Sequence, residues 1–371
     1  MVVRVGLDVS AVSQRPAGAG RYIVELAKRI NGPGVDATLI TARGDSARWR
    51  QWSPENTVID PVPTPRPLRL LYEATMLGRG PVHDVDVWHG PHYTMPRAMS
   101  KPVVVTICDM TFFTNPEWHE RAKVLFFRRA MQYSARHATE LISISETTTR
   151  ALREVLHPAI PITTIPLGVD HERFSVDAAV ISLDELDLPT DRPYIFFLGT
   201  LEPRKGLDVL LEAFRVVGAR DDEVELWLAG QAGWHTSGTN DVIAQHPYAK
   251  RIRRLGYVDD AAVPVLMRQA RAVAYPSRGE GFGLPVLEAL ACGAEVITTA
   301  GTVMEEVAGP AATLTSVGES GELADALLTS LGRSASDREA RSRAAVLRAA
   351  PFTWTATAAA HRTVYQRLAS A

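Results

Sequence analysis

One pattern keeps returning along this sequence: a short apolar run, a glycine-bearing loop, then a helix with one apolar face. The stretch from Tyr194 to Phe214 shows it most clearly. Tyr194 to Leu198 are all apolar or aromatic, Gly199 ends the run, and Leu207, Leu210, Leu211 and Phe214 follow at helical spacing. A strand that is apolar on both faces belongs in a parallel sheet covered on each side by helices. Strands alternating with helices from end to end therefore specify an α/β class with parallel sheets. In the first half the expected strands are 3–7, 37–41, 87–89, 103–107, 140–143 and 162–165. Expected helices near 20–30, 121–138 and 145–155 separate several of them. A second series starts at Tyr194 and continues through 225–229, 252–255, 272–275 and 295–298. Between the series, 167–193 lacks periodicity and carries Asp170, Asp184, Asp187 and two prolines, so it is the expected linker.

At 371 residues the chain exceeds a usual single domain, and 46% hydrophobic residues supply two cores. A formal net charge of -2 gives no global attraction to nucleic acid. The two cysteines, Cys108 and Cys292, fall in different expected domains and suggest neither a disulfide framework nor a metal site. The N-terminal stretch is a short strand interrupted by charge, unlike a signal peptide, and no run of about 20 apolar residues occurs. These features lead us to expect a cytoplasmic protein.

The stretch from Ser277 to Gly293 carries the most chemistry. Two carboxylates, Glu280 and Glu288, flank a Gly281-Phe282-Gly283-Leu284-Pro285 turn that opens a helix. Glycines permit a tight turn with exposed amides, and Pro285 suits the first helical turn. The positive end of such a helix favours an anion. Carboxylates beside an anion site are better suited to hydroxyls than to phosphate. Phosphate on amides with hydroxyls on carboxylates describes a nucleotide sugar; the competing interpretation is a strand–loop–helix with solvated acids. Arg204 and Lys205 follow the strand ending at Gly199, in the position where open α/β sheets bind ligands. Adjacent fork and point cations suit a diphosphate, although a solvated basic turn would look the same. Gly18-Ala19-Gly20-Arg21 gives only part of a dinucleotide fingerprint. The second strand ends without the acidic residue that an NAD enzyme would use.

Taken together, these motifs resemble the retaining GT-B glycosyltransferases of family 4. The matching segments are Gly199-Thr200-Leu201-Glu202-Pro203-Arg204-Lys205-Gly206, Gly256-Tyr257-Val258 and Glu280 to Glu288, in that family's order. The first half adds Pro16 to Tyr22, Val87 to His92, Val104 to Asp109, Ile144 to Glu146 and Pro166 to Asp170. The resemblance implies two Rossmann-like domains facing a cleft: 1–172 for the acceptor, 173–354 for the donor, and 355–371 returning to the first domain. It also implies transfer of a hexose from a nucleoside-diphosphate sugar with retention, by same-face attack, and without a metal or other cofactor. GDP-mannose comes first among donors, with UDP-glucose and dTDP-rhamnose as alternatives.

By the same resemblance Arg204, Lys205 and Glu280 form the catalytic set. The cations neutralise the diphosphate and Glu280 holds sugar hydroxyls. Gly281, Phe282, Gly283 and Leu284 offer amides, Glu288 binds the ribose, and Gly199, Gly230, Tyr257 and Val258 surround the nucleotide. Gly18, Gly20 and Arg21 approach the phosphates. Cys108 stands where relatives often carry His near C6 of the sugar. It either adapts the pocket to a 6-deoxy sugar or is a small packed side chain. Acceptor contacts fall to His89, His92, Asp109 and Trp118. The acceptor itself is a glycan, a lipid-linked intermediate or a small molecule. Basic and apolar residues at 66–72 and 121–129 would suit peripheral membrane contact, or else Leu125, Phe126 and Met131 pack into the core. Two other readings remain: a GT-B nucleotide-sugar epimerase, and a noncatalytic nucleotide-sugar-binding homologue.

Overall fold

The computed structural model describes residues 2–75, 84–97, 99–177, 183, 185, 188, 192–231 and 239–370. The chain forms two compact units, Met1–Gly168 with Phe352–Ala371, and Val169–Pro351. Among the described residues each unit holds one parallel sheet. The first contains β1 (Val3–Asp8), β2 (Val35–Ala42), β3 (Thr57–Val62), β4 (Val87–Gly90), β5 (Val103–Ile107), β6 (Glu140–Ser143) and β7 (Ile162–Thr164). Their order is β3-β2-β1-β4-β5-β6-β7. The second contains β8 (Tyr194–Leu198), β9 (Glu225–Ala229), β10 (Ile252–Gly256), β11 (Ala272–Tyr275), β12 (Val296–Thr299) and β13 (Thr313–Thr315). Their order is β10-β9-β8-β11-β12-β13. Both sheets are doubly wound. The strand order reverses between β1 and β4 in one and between β8 and β11 in the other, which marks the crevice where such sheets take ligands.

The central strands are buried on both faces. Val5, Leu7, Val104, Val105, Phe196, Phe197, Trp227 and Val273 have no exposed surface. Tyr194 stacks on Trp227 with ring centroids 3.9 Å apart, and the Tyr194 hydroxyl donates to the Leu266 carbonyl at 2.9 Å. Of the expected linker, residues 178–182, 184, 186–187 and 189–191 lie outside the described residues. Residues 169–177 pack as part of the second unit. Phe174 is buried, and Arg173 pairs with Asp260 at 3.3 Å. This stretch lacks periodicity because it is irregular, although it is packed against the unit.

The last helix, Trp354–Ala369, closes the first unit. Thr357 Oγ1 donates to the Pro166 carbonyl at 2.8 Å, and Arg362 reaches the Arg29 carbonyl at 2.7 Å. Arg367 Nη2 holds both oxygens of Glu140 at 2.7 Å. Glu140 is fully buried, and a buried carboxylate needs such a partner.

The same helix joins a chain of buried hydrogen bonds. His361 Nδ1 lies 2.8 Å from the Thr357 carbonyl, which can only accept. His361 Nε2 lies 2.9 Å from the Tyr22 hydroxyl, which is 3.0 Å from Thr106 Oγ1. Thr106 is 2.8 Å from His89 Nε2, and His89 Nδ1 is 2.7 Å from the Tyr365 hydroxyl. Burial keeps both imidazoles neutral, lowering His89 well below its ordinary value and His361 to about 4. With one proton per neutral ring, every bond direction follows from the Thr357 carbonyl. His361 carries its proton on Nδ1, Tyr22 donates to His361, Thr106 donates to Tyr22, His89 donates from Nε2, and Tyr365 donates to His89.

Candidate active site

The second unit brings its candidate residues together at the reversal between β8 and β11. After β8 the chain makes a tight turn, Pro203–Lys205, and enters the helix Leu207–Arg220. After β11 it runs through Ser277 to Glu280 and into the helix Leu284–Ala291. Gly206 locks the two loops together. Its φ is 71°, and a Cβ there would overlap the Pro276 carbonyl oxygen. The Arg278 amide donates to the Arg204 carbonyl at 2.8 Å, and the Arg278 guanidinium holds Asp208 with two bonds of 2.9 and 2.6 Å.

Inside this frame Arg204, Lys205 and Glu280 form one cluster. Lys205 Nζ lies 2.5 Å from Glu280 Oε1 and 2.7 Å from the Tyr275 hydroxyl. Arg204 Nη1 lies 2.6 Å from Glu280 Oε2. The Tyr275 hydroxyl and Ser277 Oγ approach Glu280 Oε1 at 3.1 and 2.9 Å. Burial alone would raise the Glu280 carboxyl. The charges of Lys205 and Arg204 outweigh it and bring the group down to about 2. Burial lowers the Lys205 ammonium, with Glu280 opposing. Glu202 Oε2 lies 3.6 Å from Arg204 Nη2, so two carboxylates face the two cations in a water-poor recess, where field strength is high. Sequence reasoning missed Tyr275 and Ser277. Their signal is topological: both lie at the carboxyl end of the strand that flanks the reversal.

The remaining donor candidates lie along the same carboxyl edge. Gly199 ends β8, Gly230 follows β9, and the Gly230 amide donates to the Gly256 carbonyl at 2.7 Å. Tyr257 is 55% exposed, with Val258 half-buried beside it. Gly281 is half-buried, Phe282, Gly283 and Leu284 are buried, and Gly283 forms the N-terminal boundary of the helix that carries Glu288. Glu288 is 7% exposed.

In the first unit, Gly18, Gly20 and Arg21 open the helix Ala19–Arg29. Gly18 is exposed, and a Cβ on it would meet nothing within 4 Å. His92 is half-buried against Tyr93 and Phe127, and burial lowers its imidazole to about 4. Asp109 accepts from the Thr111 amide and hydroxyl at 2.9 and 2.7 Å. Trp118 sits half-buried in the turn Pro116–Trp118. One expectation is corrected here, and the structure bears on two open alternatives. His89, expected at the acceptor, has no exposed surface and spends both ring nitrogens on Thr106 and Tyr365, so it serves the interior. Leu125, for which core packing is one of two alternatives, is 54% exposed, whereas Met131 on the same helix is fully buried. Cys108 is 5% exposed, with its thiol 3.8 Å from the Pro91 carbonyl, which fits a small packed side chain. Sequence reasoning also missed Glu73, a buried carboxylate that accepts from Ser10 Oγ at 3.1 Å and lies 3.3 Å from Arg69 Nε. Burial first, then the charge of Asp8, raises Glu73 to about 8 against the pull of Arg69.

Comparison with known proteins matches both units. The profile described as glycosyl transferases group 1 covers residues 182–345, and that of glycosyltransferase family 4 covers residues 16–173. The chain is 30% identical over 272 residues to O-antigen chain mannosyltransferase B of Escherichia coli, spanning 72% of this chain and 71% of that protein. It is 34% identical over 219 residues to D-inositol 3-phosphate glycosyltransferase 2 of Catenulispora acidiphila, spanning 56% of this chain and 50% of that one. Sucrose-phosphate synthase from Thermosynechococcus elongatus superposes with a TM-score of 0.77 at 19% identity over 99% of both chains. Anabaena HepE, crystallised with UDP and glucose, gives 0.75 at 21% over the whole of both chains. The two doubly wound units are those of the GT-B fold, and the chain belongs to glycosyltransferase family 4, the group 1 enzymes that use nucleotide sugars.

Proposed function

We propose that this chain transfers a hexose, with retention, from a nucleoside-diphosphate sugar to a hydroxyl of a glycan, lipid-linked or small-molecule acceptor in the cytoplasm. The observation that carries this reading is the convergence of Arg204 and Lys205 with Glu280 at the β8–β11 reversal. The two cations receive the donor diphosphate and stabilise the charge it gains as it leaves, a contribution that is large in a preorganised, poorly solvated site. Amides of residues 281–284 and the positive end of the helix Leu284–Ala291 support the phosphates. Glu288 takes the ribose hydroxyls, and the exposed Tyr257 ring flanks the base.

The bond from sugar C1 to the phosphate oxygen breaks while the acceptor oxygen bonds to C1 from the same face. The acceptor's proton passes to the departing phosphate oxygen. This route uses no protein nucleophile, and the Arg204–Lys205 pair supplies the positive charge that a metal ion would otherwise bring. The E. coli relative's name supports mannose, and hence GDP-mannose, as the donor. UDP-glucose and dTDP-rhamnose are the next donors to assay.

A thermal-shift panel of GDP, UDP, dTDP, ADP and NAD tests the reading. A ligand at a hundredfold excess over Kd stabilises the native state by about 2.7 kcal/mol. GDP is expected to raise Tm, with the shift lost in Lys205→Ala. Transfer by that variant is expected to fall on the order of 100-fold, about 2.7 kcal/mol. Chelation with EDTA is expected to leave transfer unchanged. A shift with NAD alone would sink the proposal.

A further inference from the structure

We infer that Asp8, Arg69 and Glu73 hold the reacting end of the acceptor in the first unit, and that this end is an unphosphorylated polyol, the hydroxyl-bearing face of a sugar. The inference rests on the transferase reading above and narrows its acceptor. Three neighbouring strands leave the sheet side by side at the reversal. β1 pairs with β4 as far as Leu7 beside His89, and β4 pairs with β5 as far as Gly90 beside Val105. Asp8 ends β1, His92 follows β4, and Asp109 follows β5. The helix Arg66–Thr75 adds Arg69 and Glu73, one turn apart. Arg69 Nε lies 3.3 Å from Glu73 Oε1, and Ser10 Oγ donates to the same oxygen at 3.1 Å. The Ser10 amide donates to Asp8 Oδ1 at 3.0 Å. The charges of Asp109 and Arg69 both act on His92, and that of Arg69 acts on Asp8 as well. These side chains therefore share the edge where doubly wound sheets take ligands.

The cluster mixes donors with acceptors in a poorly solvated place. The side chains of Arg69 and Glu73 are only 22% and 11% exposed. Arg69 Nε is a buried N–H with no acceptor in line. Asp8 is half-buried and offers carboxylate oxygens. Glu73, raised to about 8 by burial and then by the charge of Asp8, keeps its proton near neutral pH and can donate as well as accept. A sugar hydroxyl also donates and accepts, so it can answer each of these groups. A phosphomonoester cannot. Near neutral pH it carries close to two negative charges and only accepts. It would face Asp8 and Asp109 with no proton between them. The cation that acts on these acids, Arg69, already lies against Glu73. Like charges brought together away from water repel strongly, which excludes a phosphate from this edge.

Paired acceptors that differ only in a phosphate test this. Transfer from GDP-mannose, UDP-glucose and dTDP-rhamnose is measured by mass spectrometry at about pH 7.5. The acceptors are the methyl glycosides of mannose, glucose and galactose and the 6-phosphate of each. In the pair that is used, the unphosphorylated member is expected to lead in kcat/KM by about tenfold or more. Asp8→Asn removes a charge that opposes the phosphate and is expected to shrink that lead. Glu73→Ala is expected to raise KM for the unphosphorylated glycoside by about tenfold, with a smaller fall in kcat. Glu73→Gln keeps a donor and an acceptor at the same place and is expected to recover most of that loss. A role confined to folding would lower Tm without this split between KM and kcat. The inference is overturned if the 6-phosphates are used equally well, if Asp8→Asn keeps the full lead, or if Gln at 73 does no better than Ala. It is also overturned if none of the glycosides is glycosylated by protein whose Tm a nucleoside diphosphate raises. Protein that binds no nucleoside diphosphate refutes the transferase reading, and this inference with it.

Discussion

Gly206 and Gly256 share a left-handed backbone, with φ of 71° and 66°, yet differ in their surroundings. A Cβ on Gly256 would meet nothing within 4 Å, whereas one on Gly206 would overlap the carbonyl of Pro276. Alanine at either position costs about 1–2 kcal/mol for its backbone conformation. At Gly206 the overlap adds to this by pushing the loop after β8 away from the loop after β11. Those loops carry the cation pair and its carboxylate, so the damage reaches the site. We expect Gly256→Ala to lower Tm slightly and keep GDP affinity. Gly206→Ala is expected to lose on the order of 3 kcal/mol or more of stability and at least tenfold in GDP affinity. Scanning fluorimetry and titration calorimetry check both. Equal effects would mean that the close approach at Pro276 does not hold the site together. Side-chain identity announced Arg204, Lys205, Glu280 and Glu288, because a carboxylate or cation in a glycine-rich loop is legible as such. That Glu280 faces the two cations was not legible, since pairing depends on how two loops some 75 residues apart are brought together.

At the scale of elements, legibility follows burial. β5, β8, β9 and β11 fall where apolar runs put them, because central strands of a parallel sheet bury both faces. β3 and β13 escaped notice. Both are sheet edges; β3 reads Thr57-Val58-Ile59-Asp60-Pro61-Val62, and proline and acidic residues are tolerated only where one side needs no ladder. The docking of the helix Trp354–Ala369 came from family resemblance alone. Nothing in its own pattern announces that His361 and Tyr365 will meet Tyr22 and His89. The hydrogen-bond chain these residues form makes a spectroscopic prediction. In 15N spectra His361 is expected as the Nδ1-protonated tautomer and His89 as the Nε2-protonated one, with His361 neutral down to about pH 4. Tyr365→Phe removes the donor to His89 Nδ1 and leaves the His361 end intact. Only the His89 signals are therefore expected to shift substantially. The opposite tautomer in either ring of the wild type would break the directional chain.

The whole molecule is divided unevenly along its sequence. The second unit is continuous, Val169–Pro351, whereas the first is completed only by Phe352–Ala371. The consequences differ for the two parts. In the second unit, β8 to β13 and the buried core around Leu210, Phe214, Leu226 and Leu323 all lie within one stretch of chain. The cations, Glu280, Glu288 and Tyr257 lie there as well. In the first unit, removing the last helix exposes the surface covered by Tyr365 and His361 and leaves Glu140 buried without Arg367. Breaking a buried ion pair costs about 3–5 kcal/mol, although Arg367 itself is half-exposed and the cost lies toward the lower end. Losing the apolar cover adds more, against a total stability of only about 5–15 kcal/mol. A fragment of residues 169–351 is therefore expected to fold alone, with a cooperative melt and dispersed amide spectrum, and to retain measurable GDP binding. Residues 1–168 are expected to stay unfolded until a peptide of residues 352–371 is added. If the first fragment folds without the peptide, the buried contacts of the last helix are dispensable. If 169–351 folds and binds no nucleoside diphosphate, the second unit alone does not make the donor site.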